Sequence, residues 1–331
     1  MLPYVNNFDS VVSSVAQAVE REGVLVGIRR VGLAVSGGAD SVALVELMAP
    51  ICRSQGIEAV VVNVDHGRPG ESAGTRLAQA AAERQGVPFV ARRGSLCVAE
   101  GASIEAPARA LRLRLLAEVV QERKLDAVMA GHTADDALET LLLRACRGSG
   151  IEGLAGLRRT SFNGVLKVLR PLLHVSHRAL CGYLKNRGLD WFEDADNVNP
   201  TSMRVRMRTS VLPALERAAG ESVRASLWRT VQLLAEDADV LSARLSDELA
   251  RCARGEGLDA ECLRRLDEPG RRRVLRAWLL AQGAAAATGW ETLVRLAERA
   301  GEGVDFVQDL PDGWRVSSTR GVVALAATKA K

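Results

Sequence analysis

The sequence predicts an α/β protein: a doubly wound parallel sheet, then a mostly helical C-terminal part ending in a small β-meander. Three observations point there. Four apolar strands each lead into a helix-period segment, and such βα repeats form one parallel sheet through right-handed crossovers. Two of the strand-to-helix turns carry dense polar clusters, as expected at the carboxyl edge of an open sheet, where ligands bind. After Gly220 the texture changes to long helical patterns and then short alternating runs. A chain of 331 residues accommodates two domains, taken here as 1–217 and 218–331.

In order, Phe8, Val12, Val15 and Val19 recur at helical spacing and predict an amphipathic lead-in helix. Val31 to Val35 reads as a buried strand. Ser36-Gly37-Gly38-Ala39-Asp40-Ser41 follows, and an apolar helix runs from about Ser41 to Arg53. Two glycines allow a sharp turn that brings backbone N–H groups close to a ligand, and the helix start adds its own free N–H groups. That is a site for a phosphate or pyrophosphate, or simply a tight turn with serine caps. The Lys-Ser/Thr pair of a Walker loop is absent. Asp40 suits an anion site if Mg²⁺ bridges its carboxylate to phosphate oxygens.

The β-branched run Ile57 to Val64 predicts a strand buried on both faces, ending in Asp65-His66 at the ligand-bearing edge. A helix over 72–85 and a strand over 87–92 come next. Pro107, tolerable only in a first turn, places a helix from about Ser103 to Lys124. Arg109 and Arg112 share its face, as an anion contact or a solvated stripe. A fourth strand, Leu125 to Ala130, opens into Gly131-His132-Thr133-Ala134-Asp135-Asp136-Ala137-Leu138-Glu139-Thr140. Asp135, Asp136 and Glu139 crowd one helix start, either holding a cation or complementing the helix dipole.

Leu166 to Leu169 is a short strand, and Ser176 is a plausible helix cap. In Met203-Arg204-Val205-Arg206-Met207-Arg208 a helix puts Arg204 and Arg208 on one face, as an anion clamp or a basic turn. Further helices are expected over 222–251, 263–282 and 291–300. Arg271-Arg272-Arg273 falls at a helix start, where the dipole disfavours cations, so a phosphate-facing role competes with plain surface. Runs over 304–310, 314–318 and 322–326 predict the meander.

Composition bounds the function. A net charge of +4 announces no basic nucleic-acid tail. The apolar runs are too short to span a bilayer and no signal peptide is evident, so a cytoplasmic protein without a membrane partner is expected. Six cysteines lie far apart with no C-x-x-C pair, and are expected as reduced thiols.

Taken as a set, these motifs resemble the tRNA(Ile)-lysidine synthetases, within the PP-loop ATP pyrophosphatases of Rossmann-like fold. The resemblance runs from Val31 to about Pro213. Ser36 to Ser41 is similar to the family's pyrophosphate loop. Val64-Asp65-His66-Gly67 with Glu71-Ser72, Ile104-Glu105 with Arg109 and Arg112, Gly131 to Thr140, Arg147 to Gly150, Arg170 to Leu173, and Asn199-Pro200 with Arg204 and Arg208 match its further motifs. Departures are Arg68-Pro69-Gly70 for Leu-Arg-Pro, Leu113 for tyrosine, Thr133 for a second histidine and Val205 for asparagine.

The resemblance implies a ligase that joins free lysine to carbon 2 of the wobble cytidine in tRNA(Ile) with anticodon CAU, through an adenylated base. ATP and Mg²⁺ are then expected. Ser36, Gly37, Gly38, Ala39, Asp40, Ser41, Asp65 and His66 would bind ATP, with Asp40 on the metal. Asp136 and Glu139 would bind the amine and take its proton, and Arg204 would hold the lysine carboxylate. Asp135, Arg109, Arg112 and Arg208 would contact lysine or RNA. The last domain would bind tRNA; a homodimer is left open. The alternatives are a tRNA cytidine thiolase, disfavoured by the missing C-x-x-C, and a non-catalytic RNA-binding protein with a decayed site.

Overall fold

The computed structural model describes residues 1–65, 71–95, 105–163, 166–193 and 202–327. Their contacts divide into two compact units, Met1–Ala235 and Glu236–Lys331.

The first unit opens with α1 (Val11–Arg21) and continues through β1 (Arg30–Ala34), α2 (Ala39–Ser54), β2 (Glu58–Asp65), α3 (Glu71–Gln85), β3 (Phe89–Arg93), α4 (Glu105–Arg123), β4 (Ala127–Ala130) and α5 (Ala134–Ala145). After these come α6 (Ile151–Leu154), β5 (Thr160–Asn163), β6 (Leu166–Leu169), α7 (His177–Asn186), α8 (Met203–Arg206), α9 (Leu212–Ala219) and the first part of the long α10 (Val223–Cys252). Among the described residues the sheet has the order β3-β2-β1-β4-β6-β5. β1 pairs in parallel with both β2 and β4, while the edge strand β5, not anticipated from the sequence, runs antiparallel to β6. Strands β2 and β4 lie on opposite sides of β1, so the strand order reverses there, and the carboxyl ends of β1 and β4 are where an open α/β sheet forms its ligand-binding crevice.

The period-2 alternation of a strand sorts side chains onto two cores. Val31, Leu33, Val61, Met129 and Leu169 pack with α1, α2, α3 and α7. Val60, Val62, Val128 and Val168 pack with Leu116 and Val119 of α4. A third cluster seats α5 through Ala134, Leu138 and Leu141 against Leu173, Leu212 and Trp228. In α1 the buried face is Val11, Val15, Ala18 and Val19; Val15 and Val19 of the expected stripe are buried, whereas Phe8 and Val12 are exposed.

In the second unit β7 (Ala253–Arg254), β8 (Gly257–Asp259), α11 (Ala260–Arg265), α12 (Glu268–Ala281), α13 (Trp290–Glu302), β9 (Phe306–Leu310), β10 (Trp314–Thr319) and β11 (Val322–Ala327) follow α10. The meander extends to an antiparallel sheet of order β7-β8-β11-β10-β9. The helix expected over 263–282 is two helices, because Asp267 caps a new start by accepting from Gly270 N at 2.8 Å. The arginine triplet therefore lies past the first turn. Arg271 is turned inward onto the carbonyls of Ala297 (3.0 Å) and Leu266 (2.6 Å), a packing role in place of the phosphate-facing one.

The cysteines also require a correction. Cys252 and Cys262 form a disulfide, because the β7–β8 hairpin returns the chain so that their Cα atoms lie 5.3 Å apart. Cys52, Cys146 and Cys181 are thiols. Among the described residues no helix is long and apolar enough to cross a membrane.

Candidate active site at the carboxyl ends of β1 and β4

The loop after β1 is shaped from within. Ser41, buried in the first turn of α2, accepts hydrogen bonds from the N–H groups of Ser36 (3.2 Å) and Gly37 (3.1 Å) and donates to the Gly38 carbonyl (2.8 Å). Its hydroxyl is thus spent on holding the turn. Gly37 sits at φ +90°, a left-handed conformation that favours glycine. A Cβ on Gly37 would run into the backbone of Gly74 in α3, and one on Gly74 would run into the Ser36 carbonyl. The loop is therefore seated backbone on backbone against α3. Asn63 and Thr75 brace that contact: Asn63 Nδ2 donates to the Val35 carbonyl (2.7 Å) and receives Thr75 Oγ1 on its Oδ1 (3.0 Å). Phe192 N donates to the Gly37 carbonyl at 2.8 Å from the segment after α7. What remains is a turn backed by the N-terminus of α2, suited to an anion.

Asp40 lies in that first turn, and its Oδ1 meets His177 Nδ1 of α7 at 2.7 Å. Partial burial raises the Asp40 pKa, His177 opposes the rise, and the charges of Asp136 and Asp135 add to it. The same contact drives the His177 pKa up to about 11.

Across the crevice the three acidic residues of α5 have separate partners. Asp135 accepts from His177 N at 2.7 Å and pairs with Arg224 of α10, which also holds Glu216 at 2.6 Å. Asp136 closes the helix start by accepting from Thr133 N (2.8 Å) and Thr133 Oγ1 (3.1 Å), and its Oδ1 lies 4.0 Å from Arg208. Glu139 has no exposed surface. Its Oε1 accepts from Arg208 Nε at 2.6 Å and its Oε2 lies 3.3 Å from Arg204 Nε. Burial raises the Glu139 pKa, and the two arginines counteract it. Among the described residues Glu139 Oε2 and Arg204 Nε are both buried without a hydrogen bond. A carboxylate acceptor and a guanidinium donor thus stand side by side.

The helical reading of the Arg204 segment is the one the structure adopts: Arg204 and Arg208 face Glu139, Val205 is buried and Arg206 points out. Arg109 and Arg112 are exposed on α4, and their charges are felt by Arg170 and His132 respectively. Asp65 ends β2 with Arg93 Nε 3.8 Å away. His66, Ile104 and the Asn199-Pro200 motif lie outside the described residues.

The structure adds residues that carried no assigned role in the sequence. His177 reaches Asp40 across 137 positions, and nothing in its neighbourhood signals that contact. Gly74 is recognisable only once α3 is seen against the loop. His132 and Arg170 stood inside quoted motifs, and their mutual hydrogen bond (3.2 Å) appears only when β4 and β6 are adjacent.

As to cations, the described residues contain no group of three or more metal-ligating side chains. Asp40 still fits Mg²⁺ of the kind that takes a carboxylate and completes its shell with phosphate oxygens and water. Its Oδ2 faces no described partner, and its repulsion from Asp136 and Asp135 is what a cation would relieve.

A family model described as a PP-loop domain matches residues 9–215. The tRNA(Ile)-lysidine synthase of Salinispora tropica is 38% identical over 86% of this chain and 83% of its own. That of Thermobifida fusca is 37% identical over 77% and 78%. Among solved structures, the U34-tRNA thiolase NcsA from Methanococcus maripaludis, with its 4Fe-4S cluster, superposes with a TM-score of 0.57 at 17% identity, covering 69% of this chain and 80% of that one, a likeness of fold.

Proposed function

Because the chain belongs to the tRNA(Ile)-lysidine synthase family, within the PP-loop domain proteins, we propose that its crevice joins free lysine to the wobble cytidine of CAU-anticodon tRNA(Ile) at the expense of ATP. It is a ligase that forms a C–N bond in the cytoplasm.

The observation that carries the lysine assignment is the ion pair of Glu139 Oε2 and Arg204 Nε, 3.3 Å apart, two buried atoms that make no hydrogen bond among the described residues. An amino acid is a zwitterion: its ammonium suits the acceptor and its carboxylate suits the donor, as a charge-assisted pair. Arg208 stays on Glu139 Oε1 and opposes the rise in pKa that burial imposes on that carboxylate. Asp136, one helical turn away, is partly exposed and takes the proton from the side-chain ammonium, which must be neutral to attack.

ATP places its β- and γ-phosphates on the loop of Ser36 to Ser41 and the N-terminus of α2. The cytidine 2-oxygen attacks the α-phosphorus, the bond to the bridging oxygen breaks, and pyrophosphate leaves into the loop. Asp40 would hold Mg²⁺ there, which supplies positive charge for the leaving pyrophosphate. The lysine amine then attacks carbon 2, the carbon–oxygen bond to the adenylate breaks, and AMP departs. Arg109 and Arg112 stabilise phosphate charge from α4. The target base leaves its stack to enter the crevice.

The test is incubation of the purified protein with CAU-anticodon tRNA(Ile), ATP, Mg²⁺ and radiolabelled lysine. ATP-dependent label in RNA, lost in Asp40→Ala, supports the reading. Pyrophosphate release without label means another nucleophile, and neither product means a non-catalytic binder.

A further inference from the structure

We propose that Arg170 locks His132 as a neutral imidazole with its proton on Nε2, and that this N–H donates a hydrogen bond to the α-phosphoryl oxygens of the substrate. The second half rests on the function proposed above; the first stands on geometry alone.

Arg170 follows β6 and is only 8% exposed. Its guanidinium is fixed at several points: one terminal nitrogen donates to the Arg158 carbonyl (2.7 Å) and to Ser161 Oγ (2.9 Å), and Nε donates to His132 Nδ1 (3.2 Å). Its own N–H is tied to the Arg159 carbonyl at 2.8 Å. A guanidinium keeps its protons at every working pH. Its Nε–H is therefore an obligatory donor, and His132 Nδ1 must offer a lone pair. An imidazolium carries N–H on both nitrogens. It would oppose two donors and place a second positive charge beside Arg170. His132 is thus neutral, and its hydrogen resides on Nε2. Burial, the first cause, drives the His132 pKa down to about 4; Asp136 pulls against it, while Arg170, Arg204 and Arg112 reinforce it.

Position and chemistry then limit what this ring does. His132 stands at the carboxyl end of β4, between Gly131, whose Cβ position would crowd the Asp40 carbonyl at 2.8 Å, and the helix start carrying Asp136. The charges that reach it come from Asp136, Arg170, Arg204 and Arg112. With its proton on Nε2 it has no lone pair to act as a base there. It is a fixed donor in a preorganised site, and no hydrogen changes hands. A neutral donor has an advantage over a cation here: it stabilises developing charge on the phosphoryl oxygens without repelling the incoming lysine ammonium.

The direct test is long-range ¹⁵N–¹³C correlation NMR of the histidine-labelled, substrate-free protein, which contains four histidines. His132 is assigned by the signal missing in His132→Gln. The expected result is a bare Nδ1 and a protonated Nε2 from about pH 6 to about pH 9. An Nδ1–H tautomer or an imidazolium in that range overturns the proposal. In Arg170→Met the His132 signals are expected to report a mixture of tautomers; an unchanged Nε2–H form overturns the role of Arg170. Single-turnover pyrophosphate release tests the donor. His132→Ala is expected to slow it by roughly 10²-fold. His132→Gln, whose amide nitrogen reaches a similar place as a neutral donor, is expected to restore most of that rate. A Gln variant as slow as Ala overturns the donor role. Because the NMR needs no substrate, failure of the wild-type protein to make lysidine would overturn the proposed function and leave the tautomer assignment standing.

Discussion

His177 Nδ1 and Asp40 Oδ1 meet at 2.7 Å, joining the first residue of α7 to the first turn of α2. The contact occupies one of the two carboxylate oxygens of Asp40. His177→Ala is expected to raise the KM for ATP several-fold while leaving the lysine KM in place, measured by pyrophosphate release. Asp40→Ala is expected to abolish release. Equal ATP KM values for wild type and His177→Ala would show that the histidine does not orient Asp40.

Gly74 is the seat of the loop of Ser36 to Ser41, and its Cβ position is already occupied by the Ser36 carbonyl. Gly74→Ala forces backbone to move on one side or the other. A loss of ~1–3 kcal/mol of stability is expected, together with a larger fall in ATP affinity than in lysine affinity. Thermal melting with and without ATP reads both: the stabilisation by ATP seen in the wild type should shrink.

Glu139 and Asp136 lie a turn apart and should separate kinetically. Glu139→Gln removes the buried charge facing Arg204 and Arg208 and is expected to raise the lysine KM by roughly one to two orders of magnitude. Pyrophosphate release should continue. Asp136→Asn keeps an acceptor for the Thr133 N–H, so α5 retains its cap, yet it lacks the base. Its lysine step should lose kcat with a small change in KM. The opposite split would exchange the two roles.

His174 is fully buried, with Ser14 Oγ 3.0 Å from its Nε2. Burial first, and the Arg159 charge second, lower its pKa from 6.5 to about 4. The unfolded chain then takes up a proton that the folded one refuses. Stability is complete above the unfolded value and falls as pH drops through the window from 6.5 to about 4, by ~3 kcal/mol at most from this group. Urea unfolding at a series of pH values should show that acid limb, and His174→Gln should shrink it, with His132 supplying the remainder through its similarly lowered pKa.

The Cys252–Cys262 disulfide closes a loop of sequence separation 10 within the second unit. Reduction, or Cys262→Ser, is expected to cost about 2–3 kcal/mol. A lowered melting transition for the isotopically assigned residues of β8 and α11, with the phosphate loop unchanged, would be the signature.

Local pattern was enough for much of this chain. Hydrophobic periodicity and turn residues located β1 to β4 and the helices between them, because a strand buried on both faces must be continuously apolar and a βα repeat must return in parallel. The order of motifs carried the family and, through it, the loop of Ser36 to Ser41, the acidic start of α5 and the Arg204–Arg208 face. Strand order, packing and partner choice are long-range, and only the tertiary structure decided them. It placed β4 beside β1, so two loops about a hundred residues apart form one crevice. It turned Ser41 inward as a brace, set Gly74 under Gly37, gave Asp135 to Arg224, and paired Glu139 Oε2 with Arg204 Nε at 3.3 Å. It also paired Cys252 with Cys262, where spacing alone suggested none. A sequence specifies which groups are present and where the chain turns; which of them meet depends on the burial of surfaces far apart along it, and that is settled when the sheet and its helices pack.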